Sequence, residues 1–124
     1  MRAFSVPRLT DPIRLAAYCD ALGNWAVRGF IQFELTVEAR RWFTDQFANV
    51  FLSEVGRWMY DHVAAGGEID EVKETRPEWL DHEFHHDLRL TIDNKSIYIE
   101  TRLNYREPFA ADESWIQVVN VHAR

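Results

Sequence analysis

Lysine is nearly missing from this chain, with only Lys73 and Lys95 present. The net charge is −6. Phosphate backbones are held by positive surfaces, so this balance argues against non-specific nucleic-acid binding, although it leaves room for a small local basic site. Cysteine is equally scarce. Cys19 is alone, an internal disulfide is therefore excluded, and nothing points to an oxidising compartment. No apolar run approaches the ~20 residues that span a bilayer. Met1 to Thr10 carries Arg2 and Arg8 without an apolar stretch behind them, so no signal peptide is expected and a cytoplasmic location is. A Gly-rich phosphate loop, a nucleophile elbow and a metalloprotease histidine pair are all lacking.

What remains is the composition of one globular domain over residues 1–124. A chain of this length buries roughly two-thirds of its unfolded surface and needs neither disulfide nor metal to fold. Aromatic residues make up 14%, which favours a core built on large rings. Asp11-Pro12 reads as a helix start, because Asp caps well and Pro suits the first helical position. Leu15, Cys19 and Leu22 follow at helical spacing before Gly23, predicting a helix from Pro12 to Leu22. Alternation of Ile31, Phe33 and Leu35 with polar residues predicts a strand over Val27 to Leu35. Thr36 caps a second helix carrying Ala39, Trp42, Phe43 and Phe47. Ser53 caps a third, where Val55, Trp58, Met59, His62 and Val63 form one stripe before Gly66-Gly67.

Beyond that point the period becomes two. A short strand is expected over Ile69 to Glu74, ended by Pro77. Phe84 to Asp93 places Phe84, His86, Leu88, Leu90 and Ile92 on one face, with His85, Asp87, Arg89 and Thr91 on the other. Asp93 to Ser96 is a turn, and Ile97 to Asn104 returns. A polar loop with Pro108 leads to a last strand, Trp115 to His122, whose two apolar faces suit a central place. Closing the hairpin on Asn94-Lys95 sets Ile92 opposite Ile97, Arg89 opposite Glu100 and Asp87 opposite Arg102. The fold expected is α+β: about three helices on one face of a mainly antiparallel sheet of four or five strands. Trp42, Phe43, Phe47, Trp58, Met59, Leu88, Leu90, Ile97 and Ile99 are its predicted core.

The polar face of the hairpin carries the residue types used for proton transfer and phosphate binding. His85 and Tyr98 are candidate acid or base groups, and Arg89 and Arg102 are candidate phosphate clamps. The competing reading is that these arginines and their facing acids neutralise one another. His82, His85 and His86 fall short of a metal site, because adjacent strand residues point to opposite faces. No metal or cofactor is expected. His86 reads as a core histidine with one hydrogen-bond partner, His62 likewise, and His122 belongs to either face of the last strand. Cys19 reads as an inert core thiol. From Glu68 to Glu83, seven acids stand against Lys73 and Arg76, which concentrates −5 of the −6 net charge there. That segment is either a solvated face or a contact surface for a basic protein partner.

Gly66-Gly67, the strand Asp87 to Ile92, Ile97-Tyr98-Ile99 and Val118 to His122 together resemble the MqsR-like and BrnT-like branch of the RelE/ParE toxin superfamily. The resemblance covers residues 52–122 and leaves Met1 to Asn49 unaccounted for. It implies metal-independent cleavage of RNA, with Arg89 and Arg102 on phosphate and His85 or Tyr98 as acid or base. A deficit of lysine and a net negative charge depart from that family, whose members are usually basic. The residues themselves favour a small non-catalytic interaction or regulatory domain, with the RNA-cleaving enzyme as the alternative.

Overall fold

The computed structural model describes residues 7–105 and 114–124. The expected loop around Pro108 and the N-terminal Arg2 lie outside the described residues. In chain order the elements are α1 (Pro12–Gly23), β1 (Ile31–Phe33), α2 (Val37–Gln46), α3 (Glu54–Ala64), β2 (Asp70–Lys73), a 3-10 turn (Pro77–Trp79), β3 (Phe84–Ile92), β4 (Lys95–Tyr105) and β5 (Ser114–Ala123). The strands form one sheet in the order β1-β5-β4-β3-β2. Only β1 and β5 run parallel. The fold is α+β, with the helices packed against the apolar face of the sheet. Among the described residues no helix is long and apolar enough to cross a membrane.

Local chemistry accounts for two of the helix starts. Asp11 Oδ2 accepts the Arg14 N–H at 2.9 Å, with Pro12 in the first turn. Thr36 Oγ1 accepts the Ala39 N–H at 3.1 Å. Ser53 departs from expectation: it is already helical and makes no side-chain cap. The chain enters α3 through consecutive backbone turns, in which Glu54 N donates to Phe51 O and Val55 N to Leu52 O. These bonds do the work a capping hydroxyl would do. Gly66 ends the helix region at φ 90, a conformation that favours glycine.

Three further readings are corrected. The buried face of α1 is Ala17, Tyr18, Ala21 and Leu22; of the expected stripe Leu22 is buried, while Leu15 and Cys19 are half-buried at its edge. Two alanines let the helix approach the sheet closely enough for Ser114 Oγ to donate to Ala17 O at 2.6 Å. Tyr18 reaches Thr101 Oγ1 at 2.7 Å. The first strand is Ile31–Phe33 instead of Val27 to Leu35, because residues 24–30 are held in turns and Gly29 takes φ 95.

The third correction is the hairpin register. Asp93 and Asn94 both adopt left-handed backbone, with φ 50 and 64. They form a two-residue turn whose twist matches that of the flanking strands. Ile92 therefore pairs with Lys95, Leu90 with Ile97 and Leu88 with Ile99. This lies two residues from the expected register, so each side chain keeps its face while every cross-strand partner changes. Arg89 faces Tyr98, and Asp87 faces Glu100. The expected Arg89–Glu100 and Asp87–Arg102 opposition does not form.

Of the predicted core, eight residues are buried and Trp42 is half-buried. Phe43, Phe47 and Trp58 pack ring against ring under the sheet. β5 is flanked by β1 and β4, as its two apolar faces predict. A register shift between Glu100 and Thr101 leaves Val119 as the extra residue of β5.

Candidate functional site: the polar face of the sheet

Strand pairing sets Asp70, Asp87 and Glu100 side by side on β2, β3 and β4. Three neighbouring carboxylates repel one another, so the row needs compensation from nearby cations and donors. Each carboxylate receives it differently.

Arg89 holds Asp70 with two bonds, Nε to Oδ2 at 2.9 Å and Nη2 to Oδ1 at 3.1 Å. This planar fork raises the guanidinium's affinity for its proton through the Asp70 hydrogen bond and charge. The Arg89 side chain remains 41% exposed. Asp87 is fully buried and lies between His85 Nδ1, at 2.8 Å, and the Tyr98 hydroxyl, which donates to its other oxygen. Burial, followed by the Asp87 carboxylate, pushes the Tyr98 hydroxyl well above the usual phenol range. Tyr98 also stacks on His122, with ring centroids 5.0 Å apart, which places His122 on the polar face.

Glu100 is engaged by Arg76 and by Arg102 Nη1, the latter at 2.9 Å. Burial raises its carboxyl, the hydrogen bonds from these arginines lower it more, and the net position is below the ordinary carboxylate range. Arg102 is 0% exposed. Its Nη2 donates to Glu74 Oε1 at 2.5 Å, its Nη1 to Thr101 O at 3.1 Å, and its guanidinium carbon lies 4.6 Å from the Trp79 ring centre. The connection between β2 and β3 thus folds over this part of the sheet. The face expected to be wet is partly a buried ionic network. Burial again opposes ionisation of Glu74, and the charge of Arg102 with the bonds of Arg76 and Arg102 outweighs it.

The four candidates fall into two groups. His85 and Tyr98 meet on Asp87, while Arg89 and Arg102 are held by separate carboxylates. Sequence reasoning missed Glu74 and Trp79 as partners of Arg102, and Arg76 as a second cation on Glu74 and Glu100. Pro77 reads as a strand breaker, and nothing in a linear pattern says that the residues around it return across the sheet. Alternation of Glu74 and Arg76 at the end of a strand was the one available signal.

The remaining singled-out residues are placed as follows. His86 is 2% exposed on the core face, and its Nε2 lies 3.0 Å from Glu71 Oε2. His62 is half-buried, with Nε2 3.0 Å from Glu68 O. Cys19 is half-buried, and burial pushes its thiol up. Among the described residues no group of three or more His, Cys, Asp or Glu side chains is arranged to hold a metal ion.

The acidic segment is largely neutralised from within. Arg8 meets Glu68, Arg89 meets Asp70, Arg14 meets Glu71, and Arg76 and Arg102 meet Glu74. Glu78, Asp81 and Glu83 stay exposed, and Leu80 between them is 79% exposed. No protein-family model, no curated protein and no solved structure matches this chain.

Proposed function

We propose that this chain is a non-catalytic interaction domain that meets a basic protein partner through the connection between β2 and β3. The observation that carries the reading is the state of Arg102. It is sealed under Trp79, its Nη1 and Nη2 are taken by Glu100, Thr101 O and Glu74, and its unbonded Nε is buried, so no donor of it is open to a phosphate. Arg89 gives its Nε and Nη2 to Asp70, which takes up one edge of its guanidinium. Tyr98, already donating to a buried carboxylate and raised above the usual phenol range, is a weak proton donor. The same network that disables these side chains for chemistry holds the connection against the sheet. It displays Leu80 beside Glu78, Asp81 and Glu83. A basic segment with one apolar side chain complements that surface in charge and in character.

The test uses amphipathic peptides in which arginine or lysine surrounds a leucine or phenylalanine, read by fluorescence anisotropy. Binding should weaken about tenfold or more in Leu80→Asp and in the reversal Glu78→Lys/Asp81→Lys/Glu83→Lys, a loss of at least about 1.4 kcal/mol. Equal binding by wild type and both variants contradicts the proposal.

One observation favours the alternative, a RelE-like RNA-cleaving enzyme without a metal. His85 Nδ1 is oriented by the buried Asp87 carboxylate at 2.8 Å, as the imidazole of a general base would be.

A further inference from the structure

A basic surface with an apolar centre, the complement of Leu80 and its acids, is present on this chain itself. Arg8, Arg14, Arg57, Arg76, Arg89 and Arg102 each hold a carboxylate. Among the described residues Arg28, Arg40, Arg41 and Arg124 hold none. Two of these, Arg40 and Arg41, stand together on α2. Val37, Arg40, Arg41 and Thr44 recur at i, i+3, i+4 and i+7, so they form one stripe of the helix, and all four are exposed. Ala39 and Phe43 turn the other side to the core. Val37 is 68% exposed. With Leu35 and Asp45 the stripe lines a groove of about 330 Å³. Asp45 makes no ion pair with either arginine.

The β2–β3 connection carries the opposite pattern. Leu80 projects among the exposed Glu78, Asp81 and Glu83, and among the described residues no lysine or arginine bridges these three. The two surfaces lie at opposite ends of the sheet. α2 follows β1, one edge strand, and packs on β5, whereas the connection leaves β2, the other edge strand. Strands spaced about 4.8 Å apart put the edges of this sheet roughly 19 Å apart. One molecule therefore cannot bring its own two surfaces together. Complementary patches at opposite ends meet head to tail, in a contact that repeats from copy to copy.

We infer that the partner of the β2–β3 connection is a second copy of this chain. Leu80 enters the α2 groove beside Leu35 and Val37, and Glu78, Asp81 and Glu83 face Arg40 and Arg41. This identification rests on the docking role proposed for the connection. A contact centred on one leucine belongs to the small, weak class, and the net charge of −6 on each copy opposes approach. Association is expected with Kd of about 0.1 mM.

The test is sedimentation of the full chain from about 0.02 to 0.5 mM, a range that brackets this Kd. The weight-average mass should climb with concentration and pass that of a dimer. Arg40→Glu/Arg41→Glu and Glu78→Lys/Asp81→Lys/Glu83→Lys should each weaken association about tenfold or more. All five side chains are exposed, and the unfolding transition of each variant confirms its fold. Mixed in equal amounts, each variant offers the other an opposite charge at both ends, so assembly should return. A mass that stays at the monomer or stops at a dimer, assembly of the arginine variant as strong as wild type, or a mixture that fails to assemble overturns the inference. Basic peptides that bind in a Leu80-dependent way to a chain that stays monomeric overturn the self-pairing alone and leave the docking role standing. Failure of both overturns both.

Discussion

Arg102 Nη2 lies 2.5 Å from Glu74 Oε1, and their side chains are 0% and 2% exposed. An ion pair so thoroughly withdrawn from water is held in place by its neighbours as much as by its own attraction, since desolvation opposes it. Truncating Arg102 leaves the buried carboxylates Glu74 and Glu100 to share Arg76. Arg102→Ala should cost about 3–5 kcal/mol in urea denaturation. Replacing the pair together, as Arg102→Met/Glu74→Leu, should return stability to within about 2 kcal/mol of wild type. Equal losses in the two variants would show that the network is not what binds the β2–β3 connection to the sheet.

The hairpin turn offers a second check. Asn94 sits at φ 64, where a β-branched residue is strained. Asn94→Val should destabilise the protein by about 1–2 kcal/mol, and Asn94→Gly should be neutral or slightly stabilising. A neutral Asn94→Val would contradict the two-residue turn and with it the observed register.

That turn also marks where the sequence ceased to be readable. The period-two pattern of Phe84 to Ile92 separates core from polar face correctly, because alternation depends only on the strand's own geometry. Pairing depends on where the turn closes, and a two-residue shift preserves every face, so hydrophobicity alone does not detect it. The candidate site suffered the same way. His85, Arg89, Tyr98 and Arg102 do share a face, which the pattern gave, yet Asp70, which holds Arg89, and Glu74 and Trp79, which hold Arg102, arrive from a neighbouring strand and its connection. On α1, Tyr18 and two alanines outrank Leu15 because close approach and a hydrogen bond to Thr101 decide the buried face.

His86 should govern the upper part of the pH–stability curve. Burial, which outweighs its bond to Glu71, holds its ring below the ordinary 6.5. The unfolded chain then binds a proton that the folded chain refuses, so stability is full above about pH 6.5 and falls as pH drops toward the folded value. Glu71, Glu74 and Glu100 are held below 4.5, so they add a further loss as pH falls under that value. His86→Phe should flatten the first limb and leave the second. An unchanged slope between pH 6.5 and the carboxylate range would show that the ring does not titrate as its burial requires.

Whether the polar face is an ionic scaffold or a catalytic surface is decided by one assay. Purified wild-type protein is incubated with a defined RNA in chelator, and the products are resolved at single-nucleotide resolution. The scaffold account predicts that wild type cleaves no more than His85→Ala and Arg89→Ala, each confirmed folded by its unfolding transition. Cleavage by wild type that disappears in a folded His85→Ala would contradict it, and would make the His85–Asp87 pair the centre of an enzyme.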